Sequence, residues 1–228
     1  SDRVHAGEVL GYAESVKGLS AADRAAQLEA AREYNATLPE GPLRDPYTLT
    51  YRGTATEIAG GIAKYRETLA VGASGMIGVI QIPEIDVDLP IYHGTTDATL
   101  AKGIGHLYGS TLPVGGDGMH AVLTGHSGFV NATLFNDLGK LEIGDVFTIT
   151  VLEEVFTYRV DQMLTVLPED SEALRRVPGQ DYVTLITCTP TGGNSHRLLV
   201  RGARIPSAEV DAGATALVGH VRDPGFPW

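Results

Sequence analysis

The chain has 228 residues, 43% hydrophobic and 20% charged, the make-up of a folded globular protein with length for one sizeable core but not for two full domains. Its 17 Lys and Arg against 28 Asp and Glu give a formal charge of -11, and a surface of that sign repels a phosphate backbone, which argues against nucleic acid as a partner. A single cysteine, Cys188, excludes an internal disulfide and a thiolate metal cage, and no histidine and carboxylate spacing suggests zinc, so no metal or other cofactor is expected.

Ser20-Ala21-Ala22-Asp23 has capping-box spacing ahead of an alanine-rich, charge-laced run to about Tyr34, which predicts a surface helix. Pro39, Pro42 and Pro46 then forbid regular helix and mark a loop. Thr54-Ala55-Thr56-Glu57 repeats the cap signal, and Ile58, Ile62, Tyr65 and Leu69 follow at helical spacing, with Gly60 and Gly61 weakening the pattern.

From Met76 the pattern turns to β. Strands are predicted at Met76 to Ile82, Val87 to Tyr92, Met119 to Thr124, Val146 to Leu152, Val155 to Val166, Tyr182 to Cys188 and Arg197 to Ile205, with short helical pieces near Thr96 to Lys102 and Thr133 to Leu138. The expected fold is mostly β, a closed or nearly closed barrel of about eight strands. The chain divides into an N-terminal part at 1–72, a barrel at 73–206 and a C-terminal appendage at 207–228 without periodic pattern. No run of about 18 apolar residues and no export-type leader stands in it, so the chain as given is not expected to span a membrane.

Cys188 ends a strand-like run and is followed by the turn formers Pro190, Gly192, Gly193 and Asn194, so the thiol sits at a strand mouth. A lone cysteine reads either as a small buried hydrophobe or, at such a mouth, as a group presented to substrate. Arg197 opens the next strand, and a hairpin through the eight intervening residues can set it beside Cys188, within reach of an acyl oxygen held at the sulfur; an exposed barrel arginine is the other reading. His126 leaves another apolar strand between glycines. A thiol with its ordinary pKa of about 8.5 is only a few per cent thiolate near neutrality, and an adjacent imidazole is the usual activator. His93, His106 and His120 are the other strand-end candidates, without such flanking glycines.

Thr184-Leu185-Ile186-Thr187-Cys188, Arg197 nine residues on, and the upstream Thr124-Gly125-His126 together resemble the signature of the sortase family. The resemblance implies the sortase β-barrel, with Cys188 as nucleophile, His126 as general acid and base, Arg197 holding the oxyanion and Thr187 supporting the substrate pocket. Asp45-Pro46-Tyr47 resembles the lid motif of class C sortases, which polymerise pilins. It implies a lid at about 40–53 in which Asp45 pairs with Arg197 and Tyr47 covers Cys188. A second Asp-Pro, Asp223-Pro224, lacks the aromatic residue and follows the barrel.

Also implied are pilin or surface-protein substrates with LPxTG-like signals, cleavage between Thr and Gly, a thioester on Cys188 and transfer to a lysine amine of another pilin. The place of work is then the extracellular face of a Gram-positive membrane, held there by anchor segments that this sequence lacks. A housekeeping sortase acting on a cell-wall precursor, a cysteine hydrolase and a non-enzymatic β-rich adhesion module are the rival readings.

Overall fold

In Val146-Phe147-Thr148-Ile149-Thr150-Val151, Phe147, Ile149 and Val151 are fully buried while the residues between them are half-buried or exposed. Alternation of this kind gives a strand one face for the core, and a sheet can hide those faces by closing on itself. A computed structural model of the chain describes residues 2–47, 59–128 and 133–206. In it the strands form a closed barrel in the order β1-β2-β3-β4-β7-β8-β6-β5. They are β1 (Met76–Ile82), β2 (Val87–His93), β3 (Ile104–His106), β4 (Met119–Thr124), β5 (Val146–Val151), β6 (Glu154–Val166), β7 (Asp181–Thr189) and β8 (His196–Arg204).

The pairs β2–β3 and β4–β7 are parallel and the others antiparallel. In consequence the C-terminal ends of β1, β4, β6 and β7 and the N-terminal ends of β2, β3 and β8 gather at one mouth. Inside, the Phe147 and Tyr158 rings stack at 5.6 Å, and Gly202 leaves them room: a Cβ there would lie 2.6 Å from the Phe147 ring.

Seven strands fall where the sequence places them, within one or two residues at each end. The eighth, β3, has only three residues, too few for a period to be visible. β5 ends at Val151 rather than Leu152, because Leu152 (φ 50°) and Glu153 (φ 70°) are both left-handed and form a two-residue hairpin turn. Such a turn usually carries Asn or Gly. Here it is backed by the helix α2 (Ala21–Thr37), whose Arg24 and Arg32 pair with Glu153 at 3.4 Å and Glu154 at 3.5 Å, while Leu152 is buried.

α2 begins as expected, with Ser20 Oγ accepting from the Asp23 N–H at 3.0 Å, but it is not merely a surface helix. Leu28, Ala31, Tyr34 and Asn35 are buried, and Asn35 donates to the Leu112 carbonyl at 3.0 Å and accepts from the Leu112 N–H at 2.7 Å. A helix α1 (Asp2–Lys17) precedes it, unanticipated because it carries two glycines and only a thin stripe of Tyr12 and Val16 faces the barrel; Tyr12 Oη donates to the Ile77 carbonyl at 3.1 Å. The helix Ala59–Glu67 carries Tyr65 into the core, and its expected cap at Thr54–Glu57 lies outside the described residues, as do 48–53 of the expected lid and the appendage from Ser207. The piece expected at Thr133 to Leu138 is a turn leading into a 3-10 turn at Leu138–Lys140.

Asn35→Ala would leave the Leu112 N–H buried without a partner, while the Leu112 carbonyl keeps the Val114 N–H at 2.8 Å. It is expected to lower unfolding stability by about 2 kcal/mol, seen as an earlier urea midpoint at unchanged slope. A loss below about 0.5 kcal/mol, the range of an ordinary surface change, would mean that α2 is not held through this residue.

Candidate functional site

The ladder between β7 and β8 pairs Cys188 directly with Arg197. On the other side of β7, parallel pairing with β4 runs to Thr124 opposite Ile186 and continues through the Gly125 N–H to the Ile186 carbonyl at 3.1 Å. His126 and Cys188 each lie two residues beyond that last register pair. Ser127 Oγ then donates to the Cys188 carbonyl at 2.8 Å. Sulfur, imidazole and guanidinium are thus brought to the same mouth of the barrel by strand register alone. The loops that follow touch glycine to glycine: Gly128 has φ 85°, and a Cβ on it would lie 2.8 Å from Gly192 Cα.

Arg197 is 3% exposed, so it is not an exposed barrel arginine. Its Nε and Nη2 donate to Asp45 Oδ1 and Oδ2 at 2.7 and 2.9 Å, a two-point pair, and Nη1 donates to the carbonyls of Asn194 at 3.2 Å and His196 at 3.0 Å. Both side chains of the pair are 4% exposed. Tyr47 follows two residues on. The Arg197 guanidinium stands 4.8 Å over its ring, its hydroxyl donates to the Gly125 carbonyl at 2.8 Å, and the His126 ring lies 5.7 Å away. Thr187 Oγ1 donates to that same Gly125 carbonyl at 2.8 Å. Pro46 is buried between, its carbonyl accepting from Thr95 Oγ1 at 3.4 Å. Asp45, Pro46 and Tyr47 therefore lie across the mouth that holds the three groups.

The Cys188 thiol is pushed up from its usual pKa chiefly by burial; Arg197 and the Tyr47 hydroxyl pull it down, and the Asp45 carboxylate pushes it further up. Burial holds the His126 imidazole below its ordinary value, Asp97 opposing. With the segment seated, both shifts favour the uncharged forms, thiol and imidazole. Cys188 is half-exposed rather than a core filler, and its Sγ lies 3.5 Å from Asn194 Oδ1, as donor.

The other three candidate histidines have structural employment. His106 is fully buried, with Tyr65 Oη at Nδ1 (2.7 Å) and the Thr111 carbonyl at Nε2 (2.8 Å), and burial drives its pKa down to about 3. His120 joins the Arg175 carbonyl at 2.8 Å and Thr184 Oγ1 at 2.7 Å, and burial lowers it to about 4. His93 Nε2 meets the Thr68 carbonyl at 2.8 Å.

Sequence reasoning missed two features. Asn194 was visible only as a turn former. An outward-facing apolar cluster, Leu107, Val122, Leu174, Ile186 and Leu199, lies on the outer wall with Leu43 and Tyr47 packed on it. Its signal is the unbroken apolar runs Ala121-Val122-Leu123 and Leu185-Ile186, which mark strands covered on both faces. Among the described residues no group of His, Cys, Asp and Glu could hold a metal ion, and no helix is long and apolar enough to cross a membrane.

Comparison with known proteins points the same way. The Sortase domain family matches residues 80–205. A lid mutant of sortase A from Corynebacterium diphtheriae is 46% identical, with TM-score 0.76 over 85% of this chain and all of that one. Streptococcus pneumoniae sortase C is 40% identical, with TM-score 0.76 over 88% of this chain and 97% of that one. Sortase D of Bacillus subtilis is 30% identical over 131 residues, 56% of this chain and 63% of that protein, so the chain spans less than two thirds of this curated relative. The family match covers more than half of the 228 residues and coincides with the barrel that carries Cys188, His126 and Arg197, and the chain belongs to the sortase family.

Proposed function

We propose that this chain is a class C sortase, a cysteine transpeptidase that joins pilin subunits at the extracellular face of a Gram-positive membrane. In this reading 73–206 is the catalytic barrel, 1–72 carries the helices and the lid, and 207–228 is an appendage. The observation that carries it is the seating of Asp45-Pro46-Tyr47 on Arg197 and beside His126, which gives the site a built-in plug. The structural neighbours support it, since the Streptococcus pneumoniae sortase C structure is described in connection with pilin substrate specificity.

The chemistry follows from the three groups. His126 takes the Cys188 proton and the thiolate attacks the Thr carbonyl carbon of an LPxTG-like signal. The negative oxygen that forms is held by Arg197, whose N–H groups are freed as Asp45 withdraws. His126 then returns the proton to the glycine amine, the Thr–Gly bond breaks and a thioester remains. A lysine amine of the next subunit attacks the thioester, gives its proton to His126, and leaves an isopeptide bond and a restored thiol. The apolar wall beneath Leu43 and Tyr47 offers the signal's leucine and proline a surface once the segment lifts, and Thr187 keeps the Gly125 carbonyl beside it fixed.

Two outcomes are expected. Cys188→Ala folds normally yet forms neither cleaved signal nor covalent ladder when incubated with candidate pilins; a ladder from that variant would refute the assignment, and release of signal with no amine product from the unaltered chain would favour a hydrolase. Asp45→Ala removes a nearby negative charge and loosens the cover, and both changes favour thiolate. Alkylation of Cys188 by iodoacetamide at neutral pH should rise about tenfold, the equivalent of one pKa unit, with the midpoint of its pH profile moved down. An unmoved profile would leave Asp45 without the proposed role.

A further inference from the structure

A cleft of about 790 Å³ opens between α1 and the start of β2, within the size range of ligand sites. Val9, Ile85 and Leu89 supply its apolar surface, and Asp86, Asp88 and Asp137 bring three carboxylates to it. Asp137 is paired with Lys140 at 3.0 Å, and Asp88 accepts from Gln81 at 3.3 Å. Neither Asp86 nor Asp88 has an ion pair among the described residues, and both are exposed. Asp86 stands at φ 52°, where an uncharged Asn would serve the turn as well, so local structure does not account for its charge.

The independent observation is His5. It lines the same cleft, is 5% exposed, and its Nδ1 is shut from solvent with no hydrogen-bond partner among the described residues. Such an orphan costs about 1–3 kcal/mol, which a ligand group would recover by parting the cleft wall far enough to reach the nitrogen. A peptide backbone passing along the cleft offers both an N–H and a carbonyl.

The cleft lies at the end of the barrel that holds Cys188. β2 runs parallel to β3, and β3 antiparallel to β4, so Val87 begins at the end where β4 delivers His126. The chain leaving His126 also forms one wall: Phe135 N donates to the His126 carbonyl at 3.0 Å, and Thr133 and Asp137 line the cleft. Apolar surface with carboxylates above it suits lysine, whose methylene stem packs on the former while its ammonium meets the latter. In acyl transfer the group that protonated the leaving amine must deprotonate the incoming one, so an acceptor is best delivered from the His126 side.

We infer that this cleft docks a lysine-rich segment of the protein that supplies the acceptor amine. The inference rests on the transpeptidase reading for its role, but not for the binding itself.

The test separates the two. The 228-residue chain carrying Cys188→Ala is titrated with a capped, fluorescent peptide alternating valine with lysine, and with a copy in which norleucine replaces lysine. The lysine peptide should bind more tightly, weaken with added salt, and lose about tenfold in affinity when Asp86→Asn and Asp88→Asn are combined. His5→Phe, which fills the same space without the ring nitrogens, should weaken both peptides alike. Equal affinity for the two peptides, or an unmoved Kd in the double aspartate variant, overturns the inference. In the chain with Cys188 intact, the same aspartate pair should shift the fate of the thioester about tenfold from amide toward free acid at fixed lysine peptide. An unchanged ratio also overturns it. Failure of the unaltered chain to form any thioester would instead refute the transpeptidase reading and leave the binding result standing.

Discussion

The Asp45–Arg197 pair is the constraint on which the site's resting state depends. Two opposite charges, each nearly sealed from water, gain strongly from each other and have given up hydration to do so, so their net effect on stability is small. Separating them is another matter. A buried guanidinium left alone costs about 3–5 kcal/mol, and the same holds for a buried carboxylate. The lid segment cannot lift by merely breaking the bond; something must replace Asp45 at Arg197, or water must enter. Under the proposed mechanism the developing oxyanion is that replacement, so the interaction that closes the site is of the same kind as the one that stabilises the reacting state.

The seated Asp45-Pro46-Tyr47 segment also bears on the protonation of the thiol. Burial under Tyr47 and the nearness of Asp45 disfavour thiolate, while Arg197, which would favour it, has two of its N–H groups engaged by a carboxylate. A thiol held above its usual pKa presents less thiolate to electrophiles. In the proposed mechanism, withdrawing Asp45 removes a repulsion and uncovers a cation at once, so nucleophile and oxyanion site are switched on by one movement rather than two.

Much of this was legible in the residues because it is carried by short-range pattern. Alternation in Val146 to Val151 marks a half-buried strand, and a hairpin of eight intervening residues is enough to set Arg197 against Cys188. What was not legible depends on contacts far apart in sequence. β3 is held by neighbours on both sides rather than by its own three residues. α1 shows the chain nothing but two glycines and a thin apolar stripe, yet Tyr12 reaches the Ile77 carbonyl, 65 residues away. The Leu152–Glu153 turn breaks the usual preference for Asn and Gly, and its support, the two arginines of α2, lies more than a hundred residues upstream. Asn194 looks like turn chemistry until the thiol is seen beside its side chain.

The barrel end also divides its labour by direction. On the side of Leu43 and Tyr47 the outer wall is apolar and covered by the segment that plugs the site, so whatever binds there must compete with the chain's own residues. On the side reached through Phe135 and Asp137 the cleft carries three carboxylates, and none of the segment's described residues lines it. A two-substrate acyl transfer needs this asymmetry. In the proposed reading the acyl donor has to displace a plug before it meets the sulfur, which limits wasteful reaction, whereas the amine must find the thioester sooner than water does. Under the proposed reading, an acidic cleft at this end of the barrel would raise the local concentration of amine on the side from which His126 can take its proton.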